Sequence, residues 1–290
     1  MTKKIAVVND LSGFGRCSLT AAIPVIAAMG VQPCPLPTAV LSAQTGYWSY
    51  FIDDYTKKMD NIYRAWEKMN VRFDGIYTGF LSDIGQIRQT EQFLDIFFSE
   101  GTFLLVDPVM GDNGARFGIF SEEFQYAMRE LVRRADIITP NLTELCLLAG
   151  EDCRLAEADA GEKSQIIKAA EQMAGDVMAA GPMEAVVTGI RFREEENGKE
   201  MVGNLAVTRE GAELFATEFV GESYSGTGDL FSSVIAGGKA RRYTLGNSVR
   251  LAQTFVGAAI QDAVKEGVPR NEGVEFERHL GMLANAGLTV

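Results

Sequence analysis

Short apolar runs alternate along this chain with longer segments in which apolar residues recur every three to four positions. The short runs are 5–8, 36–41, 75–80, 103–106, 137–139 and 185–188. The longer segments are 18–29, 58–69, 84–97, 124–135, 166–177 and 245–260. The first pattern is typical of buried β-strands and the second of amphipathic helices. Strands that alternate with helices predict an α/β fold with a mainly parallel sheet and helices on both faces.

One region departs from this alternation. Residues 190–208 contain two strand-like runs around the charged turn 193–199, and the run 213–220 continues them. This pattern predicts a small β-hairpin addition. No linker rich in Pro, Gly or Ser interrupts the chain, and no internal repeat is present. Residues 1–290 are therefore predicted to form a single domain.

The predicted strands end in polar or aromatic residues. The six strand-end positions are Asp10, Thr45, Phe80, Asp107, Thr139 and Thr188. Ligands of open parallel sheets bind at the carboxyl ends of the strands. We therefore expect these six residues to line one site.

The segment 225–231, Ser-Gly-Thr-Gly-Asp-Leu-Phe, has the strongest chemical signal. Gly226, Thr227 and Gly228 allow a tight turn, and the apolar spacing that follows predicts a helix. Free backbone N–H groups at a helix start attract phosphate. Asp229, in the first turn, is either a residue that stabilises the helix start or a base beside an anion hole.

Two carboxylates lie in the turn 107–112, Asp-Pro-Val-Met-Gly-Asp, and a glycine-spaced loop, 113–118, follows as a candidate lid. Farther on, Asn141 and Glu144 stand three positions apart at a predicted helix start. That spacing alone is explained by a capping box, in which each side chain accepts a backbone N–H of the other residue.

Four aromatic residues crowd the loop 47–51. Such density is typical of packing or a subunit contact, with a wall for a ring-shaped ligand as the alternative. The Gly13-x-Gly15-x-x-Ser18 loop nearly matches the dinucleotide-binding fingerprint. It lacks the third glycine and the later acidic residue, so we interpret it as a polar loop over a substrate.

The net charge of −12 argues against nucleic acid as a partner, because such a surface repels phosphate unless local donors or a metal ion offset it. No apolar run of 18 residues occurs, so no membrane association is expected. The four cysteines lack paired C-x-x-C spacing, which disfavours zinc and redox motifs. With no signal peptide recognisable at the N-terminus, we expect a cytoplasmic protein with reduced thiols.

Three motifs taken together resemble the pyridoxal kinases of the ribokinase-like superfamily. They are Asp-Pro-Val-Met-Gly-Asp at 107–112, Ile-Thr-Pro-Asn-Leu-Thr-Glu at 138–144 and Gly-Thr-Gly-Asp-Leu-Phe at 226–231. The similarity runs in order over residues 5–265. It implies a three-layer α/β/α sandwich that phosphorylates the 5'-hydroxymethyl group of vitamin B6 vitamers with ATP. It also implies Mg²⁺, a monovalent cation such as K⁺ as an option, and a homodimer.

The resemblance also implies roles for individual residues. Asp229 looks like the catalytic base, and the amides of Gly226, Thr227 and Gly228 look like the anion hole. The acidic cluster that organises Mg²⁺ and the nucleotide phosphates is Asp107, Asp112 and Glu144, with Asp112 and Glu144 as the metal residues. The nucleotide-binding positions are Asp107, Thr139, Asn141 and Thr188. The substrate-binding positions are Asp10, Gln44, Thr45 and Phe80.

Two departures keep the substrate open. Asp10 falls where the family usually has a serine beside the pyridine ring, and a carboxylate there could pair with a protonated ring nitrogen or an amine. Gln44, within Ser-Ala-Gln-Thr at 42–45, also resembles the ring-reading glutamine of hydroxymethylpyrimidine kinases. A kinase for that pyrimidine alcohol is the first alternative. A nucleotide-binding sensor without catalysis is the second, although a binder needs no base beside its anion hole.

Overall fold

The computed structural model describes residues 1–156, 161–194, 196–221 and 223–286. The chain separates into two compact units, the first of Met1–Leu104 with Gly221–Val290 and the second of Leu105–Val220. The single domain expected for residues 1–290 stays a prediction.

Strands and helices alternate along the described residues, as the apolar pattern predicts. The strands are β1 (Lys4–Ser12), β2 (Gln32–Leu41), β3 (Ile52–Asp54), β4 (Gly75–Thr78), β5 (Phe103–Val106), β6 (Gly111–Asp112), β7 (Ala115–Arg116), β8 (Ile137–Ile138), β9 (Gly161–Glu162), β10 (Glu184–Arg193), β11 (Glu200–Thr208) and β12 (Gly211–Glu218). The helices are α1 (Ser18–Ala28), α2 (Met59–Lys68), α3 (Ile84–Phe97), α4 (Glu122–Arg133), α5 (Leu142–Ala149), α6 (Lys163–Met178), α7 (Thr227–Ala240), α8 (Leu245–Glu266) and α9 (Leu280–Asn285).

In the first unit, β1 pairs in parallel with β2 on one side and β4 on the other, and β3 adds antiparallel to β2. The side chains of residues 5–8 in β1 are completely buried. A strand covered on both faces is apolar without alternation, which explains this uninterrupted run. Helix α7 packs against α1 and α8 in the same unit.

In the second unit, β8 pairs in parallel with β5 and β10, and β10, β11 and β12 form an antiparallel meander. The predicted hairpin over residues 190–220 corresponds to this meander. A second small hairpin joins β6 and β7, and the candidate lid, 113–118, contains its turn and β7. The first unit thus consists mainly of parallel strands, and the second joins short parallel pairings to an antiparallel meander, so the α/β prediction is confirmed.

Two strands extend beyond their predicted ends. β1 continues through the polar residues Asn9 and Asp10 to Ser12, with a shift of its register against β2 between Asn9 and Leu11. β10 continues through Thr188 to Arg193, with a similar shift after Val187. Irregularities of this kind let a strand carry polar side chains and still keep its pairing. The apolar runs alone predicted Asp10 and Thr188 at strand ends. In the structure, both residues lie within strands.

Within the described residues, no helix combines the length and the apolar character that crossing a bilayer requires.

Candidate active site

Helix α7 begins at Thr227, directly after Gly226, as the glycine turn predicts. Gly226 is in the left-handed region with φ of 81°, and a Cβ atom there would overlap the carbonyl oxygen of Arg16. The Thr227 hydroxyl donates to the Tyr224 carbonyl over 3.0 Å. The first backbone N–H groups of a helix have no acceptor within the helix, so this turn can bind an anion.

Asp229 lies in the first turn of α7, and its side chain is half-buried. One carboxylate oxygen accepts a hydrogen bond from Asn9 Nδ2 over 3.0 Å, and the backbone N–H of Ser18 also donates to the carboxylate. Burial raises the pKa of Asp229 to about 6, and the charge of Asp10 adds to the increase, whereas the two donors oppose it. A carboxylate with a pKa near neutrality suits a base that takes a proton and later releases it.

Asp10 is a second carboxylate close to Asp229, and it is buried. Its side chain is 5% exposed and accepts from the Ser12 hydroxyl over 2.8 Å and from the Ser18 hydroxyl. Burial raises the pKa of Asp10, while these hydrogen bonds partly offset the effect. The first unit therefore holds two neighbouring carboxylates, a pair suited to a cationic or hydroxyl-bearing ligand.

The other predicted substrate residues lie in the same unit but differ in their surroundings. Gln44 is buried, and its amide bonds to the carbonyl of Asn271, to Ser225 Oγ and to the N–H of Gly46. Thr45 is exposed in the turn that follows β2. Phe80 is half-buried just beyond β4. Gln44 is therefore held in place by hydrogen bonds to loop backbone, whereas Asp10 lies beside Asp229.

Two residues of this site were not among the predicted site residues. Asn9 is completely buried and joins Asp229 to β1. Ser18 bonds both carboxylates and has a left-handed backbone, with φ of 51°. The sequence contains one indication of the role of Asn9. Its amide directly follows four apolar strand residues, and a polar group buried there needs a hydrogen-bond partner. Ser18 stands where the dinucleotide fingerprint has its third glycine, and its backbone conformation is one that glycine favours.

In the second unit, Asn141 and Glu144 form a capping box at the start of α5. Asn141 Oδ1 accepts from the N–H of Glu144 over 2.9 Å, and Glu144 Oε2 accepts from the N–H of Asn141 over 2.8 Å. Glu144 Oε1 additionally accepts from the N–H of Met110 over 3.2 Å. The capping role expected from the spacing is confirmed, and the metal role of Glu144 stays a prediction.

The acidic residues of this unit differ in exposure. Asp107 is buried at the end of β5, whereas Asp112 is exposed in β6 and accepts from both nitrogens of Asn113. Burial raises the pKa of Glu144 well above its usual value, and the charge of Asp107 adds to this effect. Carboxylates that repel each other in a buried position are stabilised by a nearby cation.

Thr139 and Thr188 both lie near Asn141, the first by its position in the chain and the second by backbone pairing. Thr139 is buried, and its N–H donates to the Val106 carbonyl over 3.2 Å. Thr188 forms a single parallel bridge with Asn141, and its N–H donates to the Pro140 carbonyl over 2.9 Å. The structure therefore brings the predicted nucleotide residues together within the second unit.

The oxygen donors of this unit fit Mg²⁺, which usually keeps several waters and binds through one or two carboxylates plus phosphate. In the part of the chain that is described, no three His, Cys, Asp or Glu side chains form a group that could hold a metal ion.

The family that these features point to is identified by comparison with known proteins. A model of the family described as phosphomethylpyrimidine kinase matches residues 15–273. The chain belongs to this family.

The proteins whose sequences are similar to this chain include vitamin B6 kinases. A pyridoxal kinase of Rubrobacter xylanophilus is 32% identical over 163 residues, which cover 56% of this chain and 51% of that protein. The match thus spans about half the length of that curated relative.

Solved structures resemble the chain over nearly its whole length. A Bacteroides thetaiotaomicron protein, classed provisionally as a phosphomethylpyrimidine kinase and crystallised with pyridoxal, is 34% identical, with a TM-score of 0.87 and coverage of 98% of this chain and 96% of that chain. Pyridoxal kinase of Lactobacillus plantarum is 25% identical, with a TM-score of 0.81 and coverage of 98% and 97%. The resemblance to pyridoxal kinases and the ribokinase-like fold are both confirmed.

Proposed function

We propose that this protein transfers the γ-phosphoryl group of ATP to the 5'-hydroxymethyl group of vitamin B6 vitamers, namely pyridoxal, pyridoxine and pyridoxamine. The observation that carries the proposal is Asp229, a carboxylate with a pKa of about 6 in the first turn of a helix that opens on a glycine turn. That combination supports a base beside an anion site, an arrangement suited to phosphoryl transfer to an alcohol.

In this proposal, Asp229 is the base and the start of α7 binds the transferred phosphoryl group. Asp229 takes the proton of the substrate hydroxyl, whose oxygen forms a bond to the γ-phosphorus while the bond between that phosphorus and the bridging oxygen of ADP breaks. The backbone N–H groups of Gly226, Thr227 and Gly228 donate to the oxygens of the transferred group. Such a transfer depends on positioning and electrostatic stabilisation more than on covalent chemistry.

The nucleotide is assigned to the second unit. Its proposed ligands are Asp107, Thr139, Asn141 and Thr188, and Mg²⁺ is proposed to lie near Asp112 and Glu144. When bound, the metal ion would supply positive charge against the phosphates. The buried, mutually repelling carboxylates of Asp107 and Glu144 support a cation there. A monovalent cation such as K⁺ is an additional expectation of the resemblance.

Pyridine substrates are favoured over pyrimidines by two neighbouring observations. Asp10 is a buried carboxylate beside the proposed base, which suits a protonated ring nitrogen or an amine. Gln44, the residue that would read an aminopyrimidine, already bonds to Asn271 and Gly46. The crystal form of the Bacteroides protein with pyridoxal also supports the pyridine assignment.

The alternative substrate, hydroxymethylpyrimidine or its phosphate, is favoured by the description of the matching family. A non-catalytic nucleotide sensor is disfavoured, because Asp229 retains the surroundings of a base.

A substrate panel separates these functions. Purified protein with ATP and Mg²⁺ is given pyridoxal, pyridoxine, pyridoxamine or hydroxymethylpyrimidine, and the phosphorylated product is quantified. We expect at least one pyridine to give the highest kcat/KM. A pyrimidine preferred at least tenfold over every pyridine would overturn the vitamin B6 assignment, and no product with any alcohol would overturn the kinase assignment.

We further propose a cytoplasmic homodimer. The loop 47–51 supports a subunit contact, since the side chains of Trp48 and Phe51 are 98% and 67% exposed. Four free cysteines agree with a reducing compartment. Sedimentation of the wild-type protein beside Trp48→Ser tests the contact, and two identical monomers would contradict it.

A further inference from the structure

The side-chain amide of Asn9 connects three parts of the first unit. Asn9 Oδ1 accepts from the backbone N–H of Asp10 and from that of Phe80, each over 2.9 Å. Asn9 Nδ2 donates to Asp229 Oδ1 over 3.0 Å. Because two N–H donors occupy the oxygen side, only the nitrogen side of the amide can face Asp229. The orientation of this amide is thus determined by its partners.

Asn9 also has no room to move. It is completely buried in β1, where the register against β2 shifts just after it. A Cβ atom on Gly79 would overlap the Asn9 amide, so glycine at 79 leaves the space that the amide fills. A buried side chain with every partner in place is held in one position.

We propose that Asn9 is a positioning residue of this site, which fixes the orientation of the Asp229 carboxylate and keeps it ionised. The inference rests on the proposed function, because it takes Asp229 as the base. Through Oδ1, the same side chain holds the backbone of Asp10 and Phe80, two proposed substrate residues. One amide thereby sets the base relative to the positions that would bind the ring.

The effect of Asn9 on the ionisation of Asp229 depends on the other groups that face this carboxylate. These are Asp10 from β1, with its negative charge, and Cys17 at the start of α1. Burial raises the pKa of the Cys17 thiol to about 12, so this group stays neutral. Burial and Asp10 therefore favour the protonated form of Asp229, and Asn9 together with the Ser18 N–H favours the ionised form. Removing the Asn9 donor should leave Asp229 protonated at a higher pH.

Asn9→Asp tests this most directly, because the carboxylate keeps an acceptor for the two backbone N–H groups and replaces the donor with another acceptor. We expect the acid limb of the kcat/KM profile for the best pyridine substrate to move up by about one to two pH units. At pH 7, where Asp229 is mostly ionised in the wild type, such a shift should lower kcat/KM by about 2- to 10-fold, while the affinity for ATP stays unchanged. Comparing variant and wild type on one substrate removes the titration of the substrate itself.

Gln86→Glu is the matched control. Gln86 is completely buried in the same unit, its Oε1 accepts from the N–H of Ser82 over 2.8 Å, and its Nε2 donates to Asp54 over 3.1 Å. The control makes the same chemical change next to a different carboxylate. It should lower the melting temperature and leave the acid limb in place. An Asn9→Asp profile that coincides with that of Gln86→Glu overturns the proposal.

A second route does not depend on the folding of Asn9→Asp. In the wild-type protein, the side-chain N–H signals of Asn9, assigned by triple-resonance NMR, should shift with pH near 6 and should lose this titration in Asp229→Asn. Signals that titrate identically in both proteins overturn the positioning role. If Asp229→Asn retains activity, the proposed base fails instead, so the two failures are distinguishable.

Discussion

The Gln44 amide donates a hydrogen bond to the backbone carbonyl of Asn271 over 3.0 Å and accepts one from the N–H of Gly46 over 2.7 Å. Both ends of this amide are engaged by the protein. A pyrimidine ring that uses Gln44 has to share this amide with the loop backbone, whereas a pyridine that pairs with Asp10 does not engage it. The two candidate substrates therefore depend on different side chains.

The first prediction compares Asp10→Ser with Gln44→Ala. For a vitamin B6 kinase, Asp10→Ser should change the preference among the three vitamers by roughly 5- to 150-fold, because it removes a buried charged partner. Gln44→Ala should alter kcat/KM only modestly. The measurement is kcat/KM for each vitamer and for hydroxymethylpyrimidine. Loss of most pyrimidine activity in Gln44→Ala, with poor pyridine turnover throughout, would favour the alternative enzyme.

The second prediction concerns Asp229. Asp229→Asn should keep the fold and nucleotide binding but lower turnover by about 10²- to 10⁴-fold. In the wild type, the base must be ionised, so kcat/KM should be full above the pKa of about 6 and should fall as the pH drops through it. Rate profiles and calorimetric ATP titration measure both effects. A variant with most of its activity would leave Asp229 as a residue that only stabilises the helix start.

The third prediction contrasts two glycines of the same turn. Gly226→Ala places a side chain in the left-handed region and against Arg16, and should lower the free energy of unfolding by more than the roughly 1–2 kcal/mol that this backbone region alone costs. A Cβ atom on Gly228 would meet no group within 4 Å beyond its chain neighbours and its own helix backbone, so Gly228→Ala should match or exceed wild-type stability. Chemical denaturation measures both, and equal losses would contradict the geometry of the turn.

The fourth prediction separates two roles of Glu144. Glutamine offers one acceptor oxygen where Glu144 uses two, so Glu144→Gln should leave an N–H unpaired and cost about 1–3 kcal/mol of stability. If Glu144 also lies near Mg²⁺, the Mg²⁺ concentration for half-maximal activity should rise, and excess Mg²⁺ should restore part of the activity.

Ser121→Ala is the control for Glu144→Gln, because the Ser121 hydroxyl accepts from the N–H of Phe124 and caps α4 in the same unit. It should lower stability by about 1 kcal/mol without changing the Mg²⁺ dependence. An unchanged Mg²⁺ requirement in Glu144→Gln would reduce Glu144 to a capping residue.

Local patterns predicted much of this fold. The start of α7 at Thr227 and the box at Asn141 and Glu144 depend on residues within a few positions, and such signals are present in the sequence itself. The length of β1 was not predictable in the same way. Asn9 and Asp10 continue the strand because their polar groups find partners outside it, in Ser18 nearby and in Phe80 and Asp229 far along the chain.

The contacts of the candidate site were harder to predict than its members. Asn9 and Asp229 are 220 positions apart, and no periodicity reports a pairing over that separation. Gln44 was expected to face a ligand, and its bonds to Asn271 and Gly46 become visible only once the loops are placed. The motifs therefore indicated which residues belong to the candidate site. The hydrogen-bond partners of each side chain could be identified only in the structure.

The first unit is discontinuous in sequence, with 1–104 and 221–290 on either side of the second unit. On the ribosome, residues 105–220 are complete before α7 has been synthesised, so the second unit can begin to fold while the first unit still lacks one of its helices. Helix α1 and the apolar strand β1 must wait for α7 to cover them. The loop at Arg16, whose N–H donates to the carbonyl of Glu272, waits longer still. Nascent chains thus present an uncovered apolar surface of the first unit until α7 has emerged, which makes this unit a candidate client of chaperones.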